Sequence, residues 1–110
     1  MVRGEVKYIS LEVSIQMLLR ESAQADLREA FNWYQDKQPG LGEEFMEAIE
    51  AKLKRIESNP LQFPILRGQT RRAIVTRFPY GIFYVLSEEL ISVLAVMHHA
   101  RAPVHWQRRT

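Results

Sequence analysis

The chain has 110 residues, of which 46% are hydrophobic and 25% are charged, with a formal net charge of +2 and no cysteine. This length fits one globular domain, which we place at residues 13–110 with a basic C-terminal tail, after an N-terminal extension of residues 1–12. No apolar run approaches the roughly 20 residues that span a bilayer, and the charged start is untypical of a secretory signal. Because the chain has no cysteine, disulfides, thiolate catalysis and iron–sulfur clusters are excluded. These features favour a protein of the reducing cytoplasm.

The first predicted elements are a strand and a helix. Apolar and polar residues alternate from Val13, which predicts a half-buried strand running to about Arg20. Ser22 is expected to cap the following helix by accepting an unpaired backbone N–H. Pro39-Gly40 ends this helix. Its apolar residues have the spacing of one helix face: Ala23, Leu27, Ala30, Phe31 and Tyr34.

A second helix is predicted from Leu41 to Ser58-Asn59-Pro60, because the residue before a proline avoids helical angles. Glu43 and Glu44 lie in its first turn, where carboxylates favour the positive end of the helix dipole. The short connection between the two helices predicts an antiparallel hairpin.

The second half of the chain has the pattern of strands. Residues 61–68 are predicted to form a loop, and strands are predicted at Arg71–Phe78, Ile82–Leu86 and Leu90–Met97, separated by turn residues. The nearly continuous apolar runs in the last two strands indicate burial on both faces. The fold class is therefore α+β: an N-terminal strand, an antiparallel helical hairpin packed on one sheet face, and a three-stranded antiparallel meander.

The charges are unevenly distributed along the chain. Residues 1–57 contain 8 Lys/Arg and 11 Asp/Glu, whereas residues 58–110 contain 7 and 2. All seven cations of the second half are arginines, whose planar donor groups suit phosphate and carboxylate, so this half is predicted to face an anionic partner. The predicted anion- or partner-contacting residues, which include one tryptophan of the tail, are Arg71, Arg72, Arg77, Arg101, Trp106, Arg108 and Arg109.

The chemistry of a metal-free ribonuclease is only partly represented. Such an enzyme needs a base for the 2′-OH, cations for the phosphate and a proton donor for the leaving oxygen. His98 is the best acid or base, and Arg71, Arg77 and Arg101 would then join it as catalytic residues. No Asp or Glu lies in a predicted strand of the second half, so a carboxylate base is missing. Adjacent strand residues point to opposite faces, so His98 and His99 do not predict a metal site.

The end of the chain has the pattern H-x-x-R-x-P-x-x-W, formed by His98, Arg101, Pro103 and Trp106 and followed by Gln107 and Arg109. Earlier segments, in order, are Ala25-Asp26-Leu27, Trp33-Tyr34, Phe45 through Ile56 with Pro60, and Phe78-Pro79-Tyr80 leading into Ile82-Phe83-Tyr84. Together these segments resemble the RelE/ParE superfamily of toxins from type II toxin–antitoxin systems, over roughly residues 13–109. Two positions depart from the common pattern: Gly81 replaces a larger residue, and Ala102 replaces a frequent acidic one.

The resemblance implies a small α+β toxin without a cofactor. It also implies a cognate antitoxin, encoded nearby, that covers the toxin with a segment disordered until bound, in a heterotetramer or a larger complex. An acidic antitoxin tail would suit the arginines of the second half.

The superfamily divides by target, and the resemblance leaves three alternatives. ParE-like toxins inhibit DNA gyrase without catalysis, whereas RelE-like toxins are metal-free endoribonucleases that cleave mRNA on the ribosome. The long hairpin, the modest charge and the missing base favour the ParE-like branch. The arginine-rich strand and the His98/Arg101 pair favour the RelE-like branch. The third alternative is a non-toxic relic that only binds an antitoxin.

Overall fold

The computed structural model describes residues 15–100, which form an α+β fold. In chain order, the elements are β1 (Gln16–Leu19), α1 (Glu21–Lys37), α2 (Leu41–Ser58), β2 (Ile65–Arg67), β3 (Thr70–Ile74), β4 (Tyr80–Ser87) and β5 (Leu90–His98). The five strands form one sheet in the order β1-β5-β4-β3-β2. Strands β3, β4 and β5 form the predicted antiparallel meander, and β1 pairs parallel to β5. No helix within the described residues is long and apolar enough to cross a membrane.

The helical hairpin depends on a tight connection. Gly40 has a φ of 92°, in the left-handed region that glycine adopts without steric penalty. A Cβ at Gly42 would lie within 3 Å of side-chain atoms of Phe31 and Gln35, so a larger residue there would require these side chains to move. The Gln35 side chain also accepts a hydrogen bond of 2.8 Å from the Gly42 N–H, which satisfies an unpaired donor at the start of α2.

The core lies between the hairpin and one face of the sheet. Its largest fully buried side chains come from α2 and the central strands β4 and β5: Tyr84, Phe45, Ile49, Ile56, Ile82, Ile91 and Val93. A second apolar cluster lies on the opposite face, where Phe83, Leu94, Ala95 and Met97 are also buried. The prediction that the last two strands are buried on both faces is therefore confirmed.

Three local predictions are wrong. Residues 65–67 are not loop but a three-residue strand, which is too short to show periodicity. The strand predicted to reach Phe78 ends at Ile74, because the chain turns through Arg77, whose φ is 79°. Ser22 lies inside α1 rather than at its cap; the cap residue is Arg20, and its side chain makes no capping hydrogen bond.

The first turns of α1 complete the edge of β5. Strand β1 covers β5 only as far as Val93, and a register shift at this point makes Leu94 an extra, bulged residue. Beyond that point α1 supplies the partners: the Ser22 hydroxyl donates to the Leu94 carbonyl at 2.8 Å, and Asp26 Oδ2 accepts from the Val96 N–H at 2.9 Å. Ser22 therefore docks the helix on the sheet instead of capping it.

Candidate functional site

A cleft of about 540 Å³ lies between α1 and the end of the sheet where β4 begins and β5 ends. Asp26, Glu29 and Trp33 of α1 form one wall, because residues spaced by three or four share a helix face. Tyr80 and His98, which are paired across β4 and β5, form the other wall. The volume is in the range of ligand-binding pockets in proteins.

The floor of the cleft is a packed aromatic cluster around Tyr34. Its ring centroid lies 5.2 Å from that of Phe45, 5.0 Å from that of Phe78 and 6.1 Å from that of Tyr80. Burial raises the pKa of Tyr34, so its hydroxyl stays protonated well above neutral pH. The cluster joins the lining of the cleft to the core between the hairpin and the sheet.

Trp33 and Tyr34 are neighbours in α1 but have different surroundings. Tyr34 is buried in the core, whereas Trp33 is 54% exposed on the cleft wall. Its ring meets Tyr34 edge-on at 5.1 Å, and Lys37 Nζ lies 4.7 Å from the ring centroid. An exposed tryptophan that already attracts a cation is a typical contact residue of a binding surface.

His98 has a defined orientation at the end of β5. Its ring meets the Tyr80 ring edge-on at 5.3 Å, and its Nδ1 accepts a hydrogen bond of 2.9 Å from the Ala100 N–H. A neutral imidazole that accepts at Nδ1 carries its proton on Nε2. His98 therefore presents a hydrogen-bond donor in this state.

The charge of the cleft is negative along its described lining. Asp26 and Glu29 contribute two carboxylates, and no lysine or arginine among residues 15–100 lines the cleft. The sequence prediction assigned no role to either carboxylate. The available signal was their spacing of three residues, which places both on the same helix face as Trp33.

Arg71 holds a loop instead of presenting its charge outward. Its Nη1 donates to the Phe63 carbonyl at 2.6 Å and to the Leu61 carbonyl at 3.3 Å. Arg71 pairs with Tyr84 across β3 and β4, and the Tyr84 hydroxyl donates to the Pro60 carbonyl at 2.5 Å. Burial raises the pKa of Tyr84, and the charge of Arg71 partly offsets that rise. The two side chains together anchor residues 60–63 to the sheet.

Arg72 and Arg77 lie on different sides of the molecule. Strand alternation places Arg72 on the sheet face away from the helices, opposite Phe83 in the register. A Cβ at Gly81 would lie 3.2 Å from the Cγ and Cδ atoms of Arg72, so this glycine makes room for the arginine stem. Arg77 instead forms an ion pair of 2.9 Å with Glu44 of α2. The structure thus does not bring the three arginines of this region together.

The remaining predicted site residues fall outside the described part of the chain: Arg101, Trp106, Arg108 and Arg109. The described residues, 15–100, contain no group of three or more His, Asp or Glu side chains that could hold a metal ion.

A family model described as the ParE toxin of type II toxin–antitoxin systems, parDE, matches residues 17–103 of this sequence. The chain belongs to the ParE toxin family. It is a toxin of the type II toxin–antitoxin class, and the predicted superfamily is confirmed.

The chain is also similar to proteins of known name and to solved structures. The chain is 29% identical over 89 residues to Toxin ParE2 of Mycobacterium tuberculosis, covering 80% of this chain and 85% of that protein. Its fold is similar to a chain of the chromosomal ParDE system of P. aeruginosa, with a TM-score of 0.71 and 16% identity, covering 79% of this chain and 98% of that one. A chain of the RelBE2 toxin–antitoxin complex of M. tuberculosis has a TM-score of 0.55 and 19% identity, with coverages of 79% and 100%.

Proposed function

We propose that this ParE-family chain inhibits growth in the cytoplasm by acting on DNA gyrase, and that a cognate antitoxin neutralises it. The proposal is carried by one observation: the described residues do not assemble the groups that RNA cleavage needs. A base, an acid and a phosphate-neutralising cation must all reach one scissile phosphate.

The separation of the candidate groups supports this argument. His98 pairs with Tyr80 at one end of β4, whereas Arg71 pairs with Tyr84, four residues further along that strand. Four strand residues span about 13 Å, and the Arg71 guanidinium is engaged by loop carbonyls. Arg77 is paired with Glu44. A non-catalytic mechanism requires no such convergence.

The antitoxin is proposed from the family and from the distribution of charge. Both structural relatives come from toxin–antitoxin systems. In this chain the sheet face opposite the helices carries Arg72 together with partly exposed apolar side chains, Leu18 and Ile74. An acidic, amphipathic segment that folds on binding would match such a face.

The test is incorporation of labelled thymidine and labelled leucine in the minutes after this chain alone is induced. Cells that induce the chain together with its antitoxin are the control, and they are expected to incorporate both labels normally. We expect thymidine incorporation to fall first. An earlier fall in leucine incorporation would contradict the proposal in favour of mRNA cleavage, and unchanged incorporation with soluble protein accumulating would indicate a non-toxic relic.

A further inference from the structure

The cleft between α1 and the β4–β5 end has an exposed carboxylate, that of Glu29, on one wall. Asp26 is committed to the Val96 N–H. Glu29 lies one helical turn further along α1, is exposed, and makes no ion pair with another residue of the described range. A carboxylate beside aromatic rings favours a cationic group, because both attract positive charge.

Aromatic rings on both walls of the cleft are suited to packing on the side chain of such a cation. Trp33 is 54% exposed, and Tyr80 lies across the cleft from it. Lys37 shows that a cation is accommodated at the Trp33 ring, since its Nζ lies 4.7 Å from the centroid. Arginine fits better than lysine here, because its planar, weakly hydrated guanidinium both stacks on rings and pairs with a carboxylate.

His98, on the opposite wall, offers a hydrogen-bond donor, which a metal ion or an ammonium group cannot accept. Neutral His98 carries its proton on Nε2, because Nδ1 accepts from the Ala100 N–H. A donor of this kind suits a backbone carbonyl, so the arrangement favours an arginine carried by a polypeptide over an isolated amine or a metal ion.

We propose that this cleft binds an arginine side chain of the protein that the toxin inhibits, with Glu29 pairing the guanidinium and Trp33 packing on its stem. The acidic cleft would repel the acidic antitoxin segment proposed above, so we assign the occupant to the target. This assignment of the partner rests on the proposed function, whereas the binding chemistry of the cleft does not.

The binding chemistry is tested by an NMR titration of the full chain, following the indole N–H of Trp33, which a Trp33→Phe variant assigns. The probes are acetyl-Leu-Arg-Leu-amide and the same peptide with citrulline, which keeps the shape of arginine but lacks its charge. We expect the arginine peptide to bind at least tenfold more tightly than its neutral twin. Glu29→Gln is expected to abolish this difference, and the control Glu50→Gln, on the exposed side of α2, to preserve it.

Two results of the titration would overturn the binding claim. Equal affinity for the two peptides would exclude recognition of the charge. Binding that appears only after Arg101→Gln would mean that the chain's own arginine occupies the cleft.

The identity of the partner is tested with the same two variants in cells. Glu29→Gln is expected to inhibit growth at least tenfold less than the wild type, while its affinity for the antitoxin stays unchanged. Glu50→Gln is expected to behave as the wild type. A fall in antitoxin affinity as large as the loss of peptide binding would assign the cleft to the antitoxin and refute our choice. Peptide binding by a wild-type chain that inhibits no growth would refute the proposed function and the target assignment, but not the binding chemistry.

Discussion

Tyr84→Phe is expected to destabilise the fold through a single buried hydrogen bond. The Tyr84 hydroxyl donates to the Pro60 carbonyl, and Tyr84 is completely buried. Its removal leaves a buried carbonyl without this donor, which costs about 1–3 kcal/mol. For a domain of this size, a loss near 2 kcal/mol lowers Tm by roughly 10 °C. Urea unfolding followed by circular dichroism measures the change in the free energy of unfolding.

Tyr34→Phe is the matched control for this experiment. Tyr34 is also buried, but its hydroxyl has no hydrogen-bond partner among residues 15–100, so the same chemical change is expected to alter stability by less than about 0.5 kcal/mol. Equal losses for the two variants would refute the assignment of stability to the Tyr84–Pro60 bond.

Alkaline unfolding provides a second test of the same site. Burial raises the pKa of Tyr84, so above about pH 10 the unfolded chain releases this proton while the folded chain retains it. Stability contributed by the neutral hydroxyl is therefore complete below about pH 10 and is lost as the pH rises through the folded pKa. Tyr84→Phe is expected to make the decline in stability above pH 10 less steep, and an unchanged slope would contradict the raised pKa.

Two further predictions concern α1 and the arginines Arg72 and Arg77. Asp26→Ala is expected to lower the free energy of unfolding by about 1–3 kcal/mol, because it leaves the buried Val96 N–H unpaired; a change below 0.5 kcal/mol in urea unfolding would show that this bond does not stabilise the fold. Charge reversal at Arg72 or Arg77 is expected to weaken antitoxin binding by at least tenfold at low ionic strength, where screening is weak. Calorimetry measures this affinity, and unchanged values would refute the anionic-partner prediction. Arg77→Glu also faces Glu44, but this exposed pair contributes less than about 1 kcal/mol to stability.

The helices and the meander were predictable because each has a strong local signal. The apolar spacing of α1, the turn at Pro39-Gly40 and the break at Pro60 act within a few residues, and the structure follows them. The parallel pairing of β1 with β5 had no such signal, because it joins segments about seventy residues apart in the sequence. Strand β2 was missed because its three residues gain their order only from pairing with β3.

The candidate site was less predictable than the fold. The arginine content identified a positively charged half of the chain. However, Arg71, Arg72 and Arg77 have different partners and do not form one surface. The cleft residues Glu29 and Trp33 carry no site signal of their own in the sequence, although the structure places both in the cleft. Only the packing of α1 on the end of β5 places them opposite His98, and α1 forms hydrogen bonds with β5 at and just beyond the bulge at Leu94.

We propose that this toxin acts on gyrase without catalysis, and purified components test this directly. The most direct measurement is supercoiling of relaxed plasmid by purified gyrase and ATP in the presence of increasing amounts of the purified chain, with and without the antitoxin. We predict that the chain inhibits supercoiling or causes cleaved plasmid to accumulate, and that the antitoxin restores the activity of gyrase. The proposed action on gyrase would be contradicted if a large excess of the chain left gyrase unaffected while the same preparation cleaved ribosome-bound mRNA.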